Sequence, residues 1–182
     1  GIALVLIALA AVLVPVCILA AWHDVPEVGR REQNYFALLL VLETMMVGVF
    51  AATDVFLFYV LFEAMLVPVY FLIGAFGSGP RRQLAATKFL LYGLLGGLVM
   101  LVAVIALYVL GPGGPQGFLF TNLTGLDLGP APERLMFLGF FFAFAIKAPL
   151  VPVHTWLPDA AQEAPAPVAV LLIGVLDKVG TF

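Results

Sequence analysis

Six stretches of this sequence, at residues 2–22, 35–52, 55–76, 84–110, 134–153 and from 168 onward, are almost wholly apolar. About 20 apolar residues of helix cross the hydrocarbon layer, so each stretch is long enough, or nearly so, to span it. With 64% hydrophobic and 10% charged residues, against about 45–50% and about 25% in soluble domains, too little polar surface remains for a water-soluble fold. A chain in lipid must satisfy its backbone internally, as helices or as a closed barrel. Barrel strands would read as short alternating segments, whereas these runs are continuous. The expected fold class is therefore all-α integral membrane, a polytopic transmembrane helix bundle.

Composition excludes other classes. Eight Lys and Arg against eleven Asp and Glu give a net charge of −3, which offers nucleic acid no footprint. The bilayer is the partner that composition dictates. The single cysteine, Cys17, excludes a disulfide framework and a multi-cysteine metal site. No GxGxxG, Walker loop, HExxH or CxxC occurs, and the sequon Asn122-Leu123-Thr124 is a weak signal. There is no internal repeat. The run from 168 reaches residue 182 without a stop signal, as expected for part of a longer chain.

The loops suggest an orientation. Arg30, Arg31, Arg81 and Arg82 lie in the first and third connections, against Arg134 alone at the edge of the long Gly/Pro-rich loop 111–132. The positive-inside rule then puts the Arg-pair loops on the cytoplasmic or matrix side, with His154 facing that side as well.

Ionisable groups inside the apolar runs are the second constraint, because each costs ~2.5–3.5 kcal/mol near the bilayer centre. Glu63 lies roughly 12 Å from one end of its run, and Lys147 roughly 18–20 Å from the start of its own. Glu43 and Lys178 also fall near mid-depth. Lys88, about one turn inside its run, is expected to snorkel to the interface as an anchor. One acid and one base would make a structural clasp; two acids and two lysines on different helices suit a chain of proton sites. Burial disfavours a charge and an opposite neighbour restores it, so a Glu–Lys pair changes protonation when its separation changes. Lysine suits such a switch, whereas arginine would stay charged.

Prolines stand beside both central groups. Pro68 follows Glu63 by five residues, and Pro149 and Pro152 follow Lys147. Each removes an N–H and interrupts the helix. Such breaks survive in lipid only where they are buried in protein or line a hydrated cavity, and ion-translocating helices often carry them at their sites. His154, at the end of the second break, can relay protons near neutral pH.

These residues carry a resemblance. The run Asp54-Val55-Phe56-Leu57-Phe58-Tyr59-Val60-Leu61-Phe62-Glu63-Ala64-Met65-Leu66-Val67-Pro68-Val69-Tyr70 resembles the signature of the M-type, antiporter-like membrane subunits of respiratory complex I. These are the counterparts of chain 4 of the mitochondrial NADH dehydrogenase. Ile146-Lys147-Ala148-Pro149-Leu150-Val151-Pro152-Val153-His154-Thr155-Trp156-Leu157-Pro158-Asp159-Ala160 resembles the second signature of that family. The resemblance implies a fold of roughly fourteen helices in two inverted repeats, of which residues 1–182 would be about the third to eighth helices. It implies that Glu63 is the essential glutamate, Lys147 the lysine on the broken helix, Lys178 the central-axis lysine and His154 a member of the hydrophilic axis. Glu43, Lys88 and Asp177 are secondary candidates.

The implied function is a proton-translocating membrane subunit of NADH:quinone oxidoreductase, in a bacterial inner or a mitochondrial inner membrane, beside L- and N-type subunits. No redox chemistry is expected in this chain; FMN, Fe–S clusters and quinone would sit in partner subunits. Two alternatives are a subunit of a multisubunit cation/proton antiporter or membrane-bound hydrogenase, and a non-transporting scaffold. Three positions depart from the pattern. Ala161 stands where the family has His, Ala166-Pro167-Val168-Ala169 lacks the usual Thr and Ser, and Asp177 precedes the axis lysine. Adjacent helical residues point ~100° apart, so Asp177 need not face Lys178.

Overall fold

The computed structural model describes residues 1–22, 30–126 and 128–182. The first polar loop, 23–29, and the side chain of Arg30 lie outside the described residues, and with them part of the basis for the orientation. Helices α1 (Ile2–Ala21), α2 (Arg30–Ala51), α3 (Val55–Ala64), α4 (Leu66–Phe76) and α5 (Arg82–Leu110) come first. The short α6 (Phe120–Leu123), α7 (Pro130–Lys147), α8 (Trp156–Glu163) and α9 (Ala166–Leu171) follow, then a π turn (Leu172–Leu176) and α10 (Asp177–Thr181). No named strand occurs among the described residues.

Among the described residues, four spans are long and apolar enough by themselves to cross a membrane: α1, α2, the pair α3–α4 and α5; α7, at 18 residues, carries Glu133, Arg134 and Lys147 and is less apolar. The expected fifth run stops as helix at Lys147, because Pro149 disfavours helical backbone at the residue before it; Ala148 sits at φ −85°, ψ 28°. The sixth run is divided by the π turn. The run at 55–76 is interrupted at Met65, just after Glu63. Proline cannot donate to the carbonyl four residues back. For Pro68 that residue is Ala64, the last of α3.

Local chemistry fixes the element ends. Asp54 caps α3, its Oδ1 accepting the Leu57 N–H at 2.8 Å, a contact worth about 1 kcal/mol. The long loop is tacked to this corner, where the Phe118 carbonyl accepts from the Val55 N–H at 2.9 Å and Phe120 N–H donates to Thr53 O at 3.2 Å.

Burial is inverted in the way lipid demands. Leu4, Val12, Leu98, Val109 and Leu135 are exposed on the outer surface, where hydrocarbon would meet them. Inside, association of helices in lipid relies on close packing of small residues. Gly96 of α5 lies against Ala143 of α7, with only 3.3 Å between an added Cβ and the Ala143 Cα, and Gly139 of α7 lies against Ala103 of α5 at 2.9 Å. Overpacking such a contact costs about 1–3 kcal/mol. Gly139→Val is accordingly expected to separate α5 from α7 and lower the thermal stability of the detergent-solubilised protein; an unchanged melting curve would refute the close-contact assignment.

Candidate functional site

Lys147 is the last residue of α7 and is only 3% exposed. Its Nζ donates to the Phe62 carbonyl at 3.3 Å and stands 4.7 Å above the Phe62 ring, a cation–π arrangement. Phe58, Phe62 and Phe144 pack around this point with centroids 5.8–6.1 Å apart. Glu63, the next residue along α3, lies within electrostatic range of Lys147. No direct ion pair within 4.0 Å joins the two, since the described residues hold only the pairs Lys88–Asp159 and Lys178–Asp177. Glu63 Oε1 is buried and has no hydrogen-bond partner. The two residues chosen from the sequence as a central pair are therefore neighbours held apart.

Room for the carboxylate comes from Gly97 of α5. A Cβ added there would collide with the carboxyl carbon and both oxygens of Glu63. The break beside Lys147 is sealed in a similar way. Ala148 N–H returns to Phe144 O at 2.7 Å, Leu150 N–H to Ala145 O at 2.8 Å, and the Trp156 indole N–H donates to Ile146 O at 2.9 Å. Trp156 is buried and lies against Phe89, with centroids 5.3 Å apart. The intervening segment includes a cis Val151–Pro152 bond.

Other predicted residues fall elsewhere. Lys88, expected as an interfacial anchor, has a partner there: its Nζ binds Asp159 Oδ2 at 2.7 Å and Thr155 O at 2.8 Å, tying α5 to α8. The same lysine reach that allows snorkelling finds a carboxylate one helix away. Tyr92 Oη shares a hydrogen bond with Thr155 Oγ1 at 2.8 Å. His154 adjoins this cluster in sequence, and its Nδ1 is buried without a hydrogen-bond partner. Asp177, which helix geometry leaves free to face Lys178 or not, pairs with it at 3.0 Å. The lysine stem folds back along the helix, where Nζ also meets Ile173 O at 3.3 Å, and its flexibility outweighs the ~100° between neighbours. No hydrogen bond joins Lys178 to His154 among the described residues, and Glu43 on α2 has no ion pair there.

Three contributors were missed by sequence reasoning. Gly97 and Gly180 carry no charge to draw attention, yet a Cβ at Gly180 would lie 2.6 Å from Ala148 N and 2.8 Å from Phe144 O. Glycine thus brings α10 onto the break itself. Glu163, only 7% exposed, accepts the Arg81 N–H at 3.1 Å and fixes the α4–α5 turn to the end of α8. A run of small residues opposite a buried charge was the available signal for the glycines.

The architecture defines a class: a multi-span helical membrane domain whose helices break beside buried, unpaired ionisable groups. Residues 52–182 match the family model described as NADH:quinone oxidoreductase/Mrp antiporter, TM, and the chain belongs to that family. It is 47% identical over 215 residues to NADH-quinone oxidoreductase subunit M of Mycobacterium tuberculosis, covering 100% of this chain and 39% of the relative. It is 42% identical over 183 residues to NADH-ubiquinone oxidoreductase chain 4 of Prototheca wickerhamii, covering 100% and 34%. Among solved structures it resembles a chain of respiratory complex I from Thermus thermophilus with bound NADH, at TM-score 0.80 and 37% identity, covering 100% of this chain and 36% of that one. A chain of the Mrp complex from Dietzia sp. DQ12-45-1b shares the fold at TM-score 0.78 and 23% identity, covering 98% and 32%. The chain thus spans about a third to two-fifths of the relatives it matches.

Gly97→Ala tests the pocket for Glu63. The added methyl displaces a flexible carboxylate rather than backbone, so the protein is expected to fold at a normal level with the Glu63 carboxylate moved. A structure of the variant with the carboxylate unmoved would show that Gly97 does not shape its place.

Proposed function

We propose that this chain is part of an M-type, proton-translocating membrane subunit of NADH:quinone oxidoreductase. In that subunit it would form most of the first inverted repeat. Glu63 sets the charge on Lys147, Lys147 holds the proton in transit, and His154 and Lys178 connect it onward. The observation that carries the reading is the arrangement of Glu63 and Lys147. A clasp gains its stability from contact, because burying two charges costs several kcal/mol each unless the geometry compensates. Here Lys147 is buried against a carbonyl, Glu63 Oε1 lacks a hydrogen-bond partner, and no ion pair joins them. The direct clasps, Lys88–Asp159 and Asp177–Lys178, lie elsewhere. That division favours a working pair over the scaffold reading. The high identity to subunit M and chain 4 sequences favours complex I over a cation/proton antiporter.

The chemistry asked of this chain is proton transfer alone. FMN, Fe–S clusters and quinone belong to partner subunits in this reading, and L- and N-type subunits are its neighbours in a bacterial or mitochondrial inner membrane. Work done elsewhere would reach it as a displacement of Glu63 relative to Lys147.

Glu63→Gln keeps the side-chain shape and removes the charge. In reconstituted complex at unchanged subunit level, proton uptake is expected to fall about a hundredfold, the scale of a positioned proton-transfer group. Normal uptake would remove Glu63 from the path. Lys147→Arg separates transfer from clasping. An arginine, whose pKa exceeds ~12, holds its proton despite burial shifts of ~3–5 units, so the variant is expected to pump as poorly as Lys147→Ala. Near-normal pumping by Lys147→Arg would restore the clasp. Cysteines introduced at Ser78 and Thr121 are expected to label from opposite faces of sealed vesicles, Ser78 from the cytoplasmic or matrix face; labelling from one face would overturn the orientation.

A further inference from the structure

The helix pair α2–α4 carries a groove that the proton path does not use. Its volume is about 420 Å³, and it is lined at one end by Arg31 and Asn34 and below them by apolar side chains. On α2, Arg31, Asn34, Leu38 and Val41 follow steps of three, four and three residues, the stripe of one helix face. They run roughly 15 Å down from the start of the helix. On α4 the opposite wall includes Phe71 and Ala75, four residues apart and so on one face as well.

Three features give this groove a chemistry. First, its cationic end lies at the start of α2 and the end of α4, beside the turn that carries Arg81 and Arg82, so it sits at a membrane surface. Second, the Arg31 guanidinium is exposed and, among the described residues, is held by one long hydrogen bond, 3.5 Å to Ala75 O at the C-terminal end of α4. That contact aims the group over the mouth and leaves most of its N–H donors for a ligand. Third, no carboxylate lines the groove among the described residues; one cation and one amide stand above walls of Phe, Val, Leu and Ala. Arginine recognises phosphate with two parallel hydrogen bonds, and basic pockets between helices at the cytoplasmic or matrix surface hold anionic headgroups. Val41 and Phe71 are 43% and 47% exposed, which leaves the lower walls open to an acyl chain. Charge at the mouth and hydrocarbon below are complementary to one kind of molecule.

We propose that the α2–α4 groove is a binding site for an anionic membrane phospholipid, its phosphate on Arg31 and Asn34 and one acyl chain between Leu38, Val41 and Phe71. This assignment is independent of the roles of Glu63 and Lys147.

The test uses the whole complex containing the full-length subunit, reconstituted in nanodiscs of phosphatidylglycerol and phosphatidylcholine and then extracted into detergent. Native mass spectrometry counts the phospholipids retained. Arg31→Gln removes the charge, Val41→Trp fills the groove, and Leu98→Trp places the same indole on an exposed face of α5 outside it. The expected result is one phosphatidylglycerol fewer in both groove variants than in wild type and the Leu98→Trp control. Removal of Arg31 should weaken retention about fivefold, the effect of one basic residue at an anionic surface. Inorganic phosphate should not displace the lipid, because the acyl chain carries part of the affinity. Equal retention in all four proteins, equal retention of phosphatidylcholine, or displacement by inorganic phosphate would overturn the proposal. So would capture of a polypeptide rather than a lipid by a photoreactive residue at position 41.

Discussion

A hydrogen bond lost inside hydrocarbon has no water to replace it, and the break after Lys147 is built around that fact. Each carbonyl near the end of α7 that loses its helical partner needs another donor, because an unsatisfied polar group in an apolar medium costs several kcal/mol. Phe144 keeps its helical donor, the Ala148 N–H; Ala145, whose helical donor would be Pro149, takes the Leu150 N–H one residue further on, and Ile146 takes the indole of Trp156. With the backbone closed in this way, the lysine is the polar group left to face inward. Its placement beside Phe62 then follows from where α7 stops, and α7 stops where Pro149 forbids another turn. The break at Met65 places Glu63 by the same logic from the facing helix.

The sequence made this much legible because charge and proline are loud signals in an apolar run. Glu63 and Lys147 could be chosen as central, and their helices expected to be interrupted, from composition and position alone. The details that depend on a third element were not legible. Lys88 looked like an interfacial lysine because nothing local indicates that Asp159 of α8 lies within reach. The π turn at Leu172 was not legible either, since hydropathy does not register a helix that widens. Gly97 and Gly180 carry no signal of their own, since the value of a missing side chain is set entirely by what lies opposite.

Two kinds of ion contact divide the labour within the bundle. Lys88–Asp159 and Asp177–Lys178 are short pairs on partly exposed side chains. Surface pairs of that type contribute about 0–1 kcal/mol; Lys88–Asp159 ties α8 to α5, whereas Asp177–Lys178 joins neighbours within α10. Glu63 and Lys147 have the opposite design, a half-buried carboxylate with an enclosed Oε1 and a buried lysine, with the direct contact withheld. Stability is drawn from pairs that need not change, and sensitivity from a pair that is not closed.

The π turn at Leu172–Leu176 adds a last point about phase. A helix that widens to i→i+5 bonds takes up one extra residue per turn, so everything after it is rotated by about one residue, roughly 100°, relative to an uninterrupted α-helix. Lys178 lies just beyond this dislocation. Its azimuth around the bundle is therefore not set by the apolar stripe that seats α9. If the widened turn passed beyond Lys178, Asp177 and Lys178 would turn by about one residue, roughly 100°, relative to their present bearing, while residues before Leu172 kept theirs. The turn is a rotary joint, set one step ahead of the lysine it aims.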